Sequence, residues 1–158
     1  MKTLIYNHLN EKGINLQILE ENEIRTIYSF RVNLKNGTCD TLIEIINDPG
    51  KVITSTYLSV KIPEEHRNKV SEFITRVNDL LSIGNFNLDL NNGNLCFKTS
   101  FLYNEIYNGY TDLFHEYLYL TFNMVDIYIP AIMSVIYSNV SPEDAYNNIE
   151  NIIKPELN

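Results

Sequence analysis

The side chains able to do chemistry are scattered along this 158-residue chain, and their spacing limits what they can do. His8, His66 and His115 fall in three separate segments, none with a second His, Cys or carboxylate at a familiar metal-motif spacing. His115-Glu116 lacks the second histidine of a zinc-protease helix. His66, at the start of a helical segment, reads as solvated. No Gly-x-Gly-x-x-Gly or Gly-Lys-Ser/Thr phosphate loop occurs, and Ser59, Ser100 and Ser134 sit in no nucleophile elbow. Cys39 and Cys96 have no adjacent activating partner, so they read as two buried thiols in a reducing compartment. The residues thus predict no catalytic group, no metal and no cofactor.

Two features merit a closer weighing. Asp126 is a carboxylate inside an apolar helical stretch, four residues before Pro130. It can be a binding or acid/base group. The reading we favour is structural: it is exposed on one face, or caps backbone freed around the proline. The chain also carries eleven tyrosines and no tryptophan, with Tyr103, Tyr107, Tyr110, Tyr117 and Tyr119 close together. Tyrosine combines apolar area with a polar tip and suits wet interfaces. Asp126, Tyr117 and Tyr119 therefore define an alternative ligand pocket, for a small-molecule sensor or an enzyme of unrecognised type. Glu44 near Arg31 reads as a surface ion pair.

These residues need elements to position them. The length fits one domain over 1–158, large enough to fold without disulfide or metal. A net charge of −8 argues against nucleic acid and against an anionic membrane surface. The N-terminus lacks a secretory h-region, which points to a cytoplasmic protein. Tyr117–Tyr137 is long and apolar enough to span a bilayer, but a mid-span carboxylate is costly in lipid. A buried helix, or two helices meeting at Pro130, explains it better.

Apolar spacing predicts a helix over residues 1–12, stopped by Gly13, and a short edge strand at Leu16–Leu19. Ile24–Leu34 and Cys39–Ile46 form a hairpin across Asn36-Gly37, with Leu34 opposite Cys39, Val32 opposite Thr41, Phe30 opposite Ile43 and Tyr28 opposite Ile45. After the Asp48-Pro49-Gly50 turn comes a strand, Val52–Ile62. Pro63-Glu64-Glu65 opens a helix with the stripe Val70, Phe73, Ile74, Val77, Leu80 and Leu81, closed by Gly84. A second hairpin turns at Asn92-Gly93, pairing Leu90 with Leu95, Leu88 with Phe97 and Phe86 with Thr99. Helix follows from Tyr110, and Ser141-Pro142 starts the last one, with Ala145, Ile149, Ile152 and Ile153 inward and Lys154-Pro155 as its end. The order is α-β(3–4)-α-β-β-α-α, an α+β fold with an antiparallel sheet flanked by helices. On the mixed face of that sheet, Ile27, Leu42, Ile46, Ile53 and Tyr57 form an apolar patch if no helix covers them.

Several stretches together resemble the YbjN family, described as bacterial sensory transduction regulators. They are Lys61-Ile62-Pro63-Glu64-Glu65-His66-Arg67 with Val77-Asn78, then Gly84-Asn85-Phe86-Asn87-Leu88-Asp89 with Asn92-Gly93 and Phe97-Lys98. Asp126 with Pro130, and Ser141-Pro142-Glu143-Asp144-Ala145, complete a diffuse pattern over residues 24–150. The resemblance implies a fold like that of type III secretion chaperones, which bind protein segments and often dimerise, and it brings no catalytic residue. The resulting expectation is a non-enzymatic, chaperone-like or regulatory module: a homodimer that holds a protein or peptide client.

Overall fold

The computed structural model describes residues 1–104 and 109–153, with side chains described as far as Ile149. Tyr107, the Lys154-Pro155 stop and the side chains of Ile152 and Ile153 lie outside the described residues. The architecture is α+β. Helix α1 (Lys2–Glu11) precedes four strands: β1 (Gln17–Glu21), β2 (Arg25–Asn33), β3 (Thr38–Ile46) and β4 (Lys51–Leu58). A 3-10 turn (Glu64–His66) leads into α2 (Arg67–Leu80), then β5 (Asn85–Leu88), β6 (Leu95–Leu102), α3 (Tyr110–Tyr137) and α4 (Pro142–Ile153). All six strands join one antiparallel sheet in the order β1-β2-β3-β4-β6-β5.

Alternation does most of the sorting. Along β2, β3, β4 and β6 every second side chain is buried under the helices: Tyr28 and Phe30, Cys39 to Ile45, Val52 to Leu58, and Leu95 to Phe101. The helices contribute Ile5 and Leu9 from α1, Val70, Phe73, Ile74 and Val77 from α2, and Ala145 and Ile149 from α4. Leu80 ends the α2 stripe in solvent. In the last helix, Ser141 caps as its type predicts, its Oγ accepting the Asp144 N–H at 3.0 Å.

The buried side chains fall into two clusters. One gathers α1, the early part of α3, Tyr28, Phe30, Ile43, Ile45, Val52 and Phe101. The other gathers α2, α4, the later part of α3, Cys39, Leu58, Phe86 and Phe97. Between them lies a polar seam. Thr41, Thr54, Thr56 and Thr99 occupy neighbouring positions on the covered face, all buried. The Thr41 and Thr56 hydroxyls pair at 3.0 Å. Thr99 pairs with Thr121 of α3, also at 3.0 Å, and Thr121 donates to the Tyr117 carbonyl at 2.7 Å. Pairing removes most of the penalty of burying these hydroxyls.

Both hairpins form around their Asn-Gly pairs, but neither turn is the two-residue Asn-Gly turn expected, and both registers differ from expectation by two residues. Val32 pairs with Cys39, Phe30 with Thr41 and Tyr28 with Ile43; Leu88 pairs with Leu95 and Phe86 with Phe97. An even shift preserves which face each side chain occupies, so the core survives the change. The first hairpin closes by a bond from the Leu34 N–H to the Gly37 carbonyl at 2.8 Å, making Lys35-Asn36 the turn. Gly37 keeps a negative φ, unlike the Asn-Gly turn expected. What it provides is space: a Cβ there would stand 3.0 Å from Ile129 Cδ1 of α3. In the second hairpin Asp89 holds the loop, accepting from the Asn91 N–H at 2.8 Å, and only Gly93 has positive φ. Strand β4 stops at Leu58, short of the expected Ile62. Val60 is exposed there, while Ile62 is buried and donates to the Gly93 carbonyl.

Helix α3 passes through Pro130 unbroken, as one helix rather than two. It is long and apolar enough to cross a membrane by length and composition alone. Here its buried side run, from Tyr110 through Ile136, packs across β4 and β6 as core. Proline has no N–H, so the carbonyl four residues back, that of Asp126, loses its helical donor. The hairpin tip supplies another. Asn36 Nδ2 donates to that carbonyl at 3.0 Å, and the Asn36 N–H donates to Asp126 Oδ1 at 2.7 Å. Each such bond contributes about 1 kcal/mol net. Asn36→Ala should therefore lower the urea midpoint of unfolding, and Pro130→Ala should shrink that loss by restoring the missing helical donor. Equal losses from Asn36→Ala in both backgrounds, in a double-mutant cycle, would show that the two are uncoupled.

Candidate functional site

All the described helices lie on one face of the sheet, leaving the other face open. Pairing fixes its rows from β2 to β6. They read Arg25–Ile46–Lys51–Leu102, Ile27–Glu44–Ile53–Ser100, Ser29–Leu42–Ser55–Lys98 and Arg31–Asp40–Tyr57–Cys96. Ile27, Leu42, Ile46, Ile53 and Tyr57 thus all stand on the open face, and each is half-buried among its neighbours. They form a mosaic rather than an unbroken patch, because charged side chains sit between them. Arg25 makes a two-pronged pair with Glu20 (2.9 and 2.7 Å) and reaches Glu44 at 3.2 Å. Arg31 forks onto Asp40 at 2.8 and 3.1 Å. Arg31 therefore pairs with Asp40, and Glu44, expected beside it, belongs to Arg25.

Side-chain direction explains how such a surface survives in water. Each apolar residue is flanked along its strand and across the ladder by polar neighbours whose stems shield it. Lys51 and Lys98 make no ion pair among the described residues. With Arg25, Arg31, Glu20, Glu44 and Asp40, the face carries four basic and three acidic side chains on a chain of net charge −8.

The residues of the alternative pocket lie apart from one another. The Asp126 carboxylate is engaged by the Asn36 N–H. Tyr117 turns inward, edge-on to Phe101 with ring centres 5.3 Å apart. Tyr119 is 63 % exposed and lines a small cleft of about 180 Å³ with Leu9, Lys12, Ile14, Leu118 and Phe122. A wider groove of about 590 Å³, lined partly by Asn15, Gln17, Arg31 and Asp40, lies where the chain leaves α1 for β1. Asp126 borders neither.

The small cleft holds a contact that sequence spacing could not reveal. His8 of α1 and His115 of α3, 107 positions apart, meet with His115 Nδ1 3.3 Å from His8 Nε2. Burial, followed by the neighbouring His115, holds His8 below the usual imidazole range. No group of three His, Cys, Asp or Glu side chains is placed to hold a metal among the described residues. His66, expected in solvent, is half-buried with its Nδ1 enclosed and unpartnered among the described residues.

Both cysteines are free and buried, on opposite faces of the sheet. Burial raises the Cys39 thiol from 9.0 to about 11 and raises Cys96 as well. In the unfolded chain Cys39 loses its proton first, so it contributes a loss of stability as pH rises from about 9 toward 11. Cys39→Ala should flatten part of that alkaline decline, followed as urea midpoints against pH. An unchanged slope would show that Cys39 does not carry it. No family model matches the chain, and no curated protein matches it significantly.

Proposed function

We propose that this protein is a non-enzymatic binding module of chaperone-like or regulatory type, which holds a protein or peptide client on the open face of its sheet. The observation that carries the reading is that uncovered face, with Ile27, Leu42, Ile46, Ile53 and Tyr57 half-buried across three adjacent strands. Desolvating such residues against a partner yields about 25 cal/mol per Å² of apolar area, enough to matter over a few side chains. Lys51 and Lys98, without an ion pair among the described residues, favour a client with carboxylates flanking its apolar residues. The resemblance to the YbjN family points the same way, toward a cytoplasmic homodimer with a fold like that of type III secretion chaperones.

A small-molecule sensor built on Asp126, Tyr117 and Tyr119 is the weaker reading, because those three side chains do not converge. Native mass spectrometry of the protein from its own host separates the two. The binding module should appear as a dimer or with a co-purifying polypeptide. Changing Ile46 and Ile53 together to Lys should abolish that complex while leaving the far-UV circular dichroism unchanged. A monomer carrying a bound mass of metabolite size would favour the sensor. An Ile46/Ile53 variant that still holds its polypeptide would remove the open face as the binding surface.

A further inference from the structure

The His8–His115 contact has a spacing that suits something other than a shared proton. Zinc binds imidazole nitrogen at 2.0–2.1 Å, and two such bonds at a tetrahedral angle place the nitrogens about 3.3–3.4 Å apart. The two ring nitrogens stand 3.3 Å apart, one on each of two packed helices. Each histidine also has a carboxylate three positions away on its own helix: Glu11 beyond His8, and Asp112 before His115. Residues three apart share a helix face. Both carboxylates are exposed, both act electrostatically on His8, and neither makes a hydrogen bond or ion pair among the described residues. Lys12, in the same cleft, opposes a cation, while the fields of Glu11 and Asp112 at His8 act in the other direction.

We propose that His8 and His115 form a two-histidine site for a divalent transition metal, zinc foremost, that clamps α1 onto α3. The carboxylates stand back from the rings, since no group of three is yet in place. A bound ion would therefore take the two imidazoles first. It would complete its shell with water and with Glu11 or Asp112 after a rotamer change. Whichever ring donates in the present contact moves that proton to its other nitrogen, so both rings stay neutral and both lone pairs face the ion. Imidazole with carboxylate suits zinc, nickel and copper, and disfavours magnesium and calcium. Neither the sheet's open face nor a client takes part, so this site stands or falls separately from the binding function.

The test is zinc titration of chelator-treated full-length protein at neutral pH, read by thermal unfolding. At about ten times its Kd the ion should raise the midpoint by about 3–6 °C, magnesium should not, and Asp112→Asn should weaken the response. His8→Ala and His115→Ala should each abolish it. Because either variant could loosen α1 by itself, a second readout uses the unaltered chain. Nickel should broaden the ring-proton resonances of His8 and His115 well before those of His66. An equal zinc response in the His8/His115 double variant, simultaneous broadening of all three histidines, or no midpoint shift at a millimolar excess would each overturn the proposal.

Discussion

A missing N–H in the middle of α3 sets much of this structure. Pro130 deprives the Asp126 carbonyl of its helical donor, and an unmet carbonyl of that kind costs free energy unless something replaces the donor. The replacement comes from Asn36, about ninety residues earlier, whose side chain and backbone both bond Asp126. That exchange ties the β2–β3 turn to the helix. The turn then fixes the strand register, and the register determines which side chains line each row of the sheet. Gly37 completes the fit by letting Ile129 approach. A residue that elsewhere would break a helix serves here as the docking point for a hairpin.

The same helix also spans two cores. Its early turns pack with α1 and its later turns with α2 and α4, while Thr121 crosses the band of threonines between. Small hydroxyl side chains let the helix lie close to the sheet at that crossing. They also separate two apolar clusters that a row of leucines would have merged. Tertiary contact between the halves therefore runs mainly through α3 and the strands themselves.

Much of this was legible in the residues alone, for reasons that are local. Strict alternation along β2 to β4 identifies the buried face, and Ser141-Pro142 and Pro63-Glu64-Glu65 mark helix starts without help from the rest of the chain. The five open-face residues follow from the same alternation. The registers are not legible, because the Asn36-Gly37 turn answers to Asp126 and Ile129 across the fold, and Asp89 reshapes the loop before Gly93. An even error left the faces intact, so the surface could be found although its pairings were wrong. The His8–His115 contact joins segments that only tertiary packing brings together, and no short-range signal encodes it. The bonds of Asp126 run to Asn36 on another element, and no local spacing announces that partner.

The sheet's two borders bear on how a polypeptide could attach. On one side β1 carries a bulge between Ile18 and Glu20 and ends in two glutamates. On the other, β5 is four residues long. Bulges, charge and shortness are the devices that stop a border strand from recruiting another. Growth of the sheet by strand addition is thus blunted at both ends, and with it the commonest route to uncontrolled assembly. These borders favour a polypeptide that lies across the ladder over one that lengthens it. Its recognition then depends on side chains, not on backbone bonds that any sequence could supply.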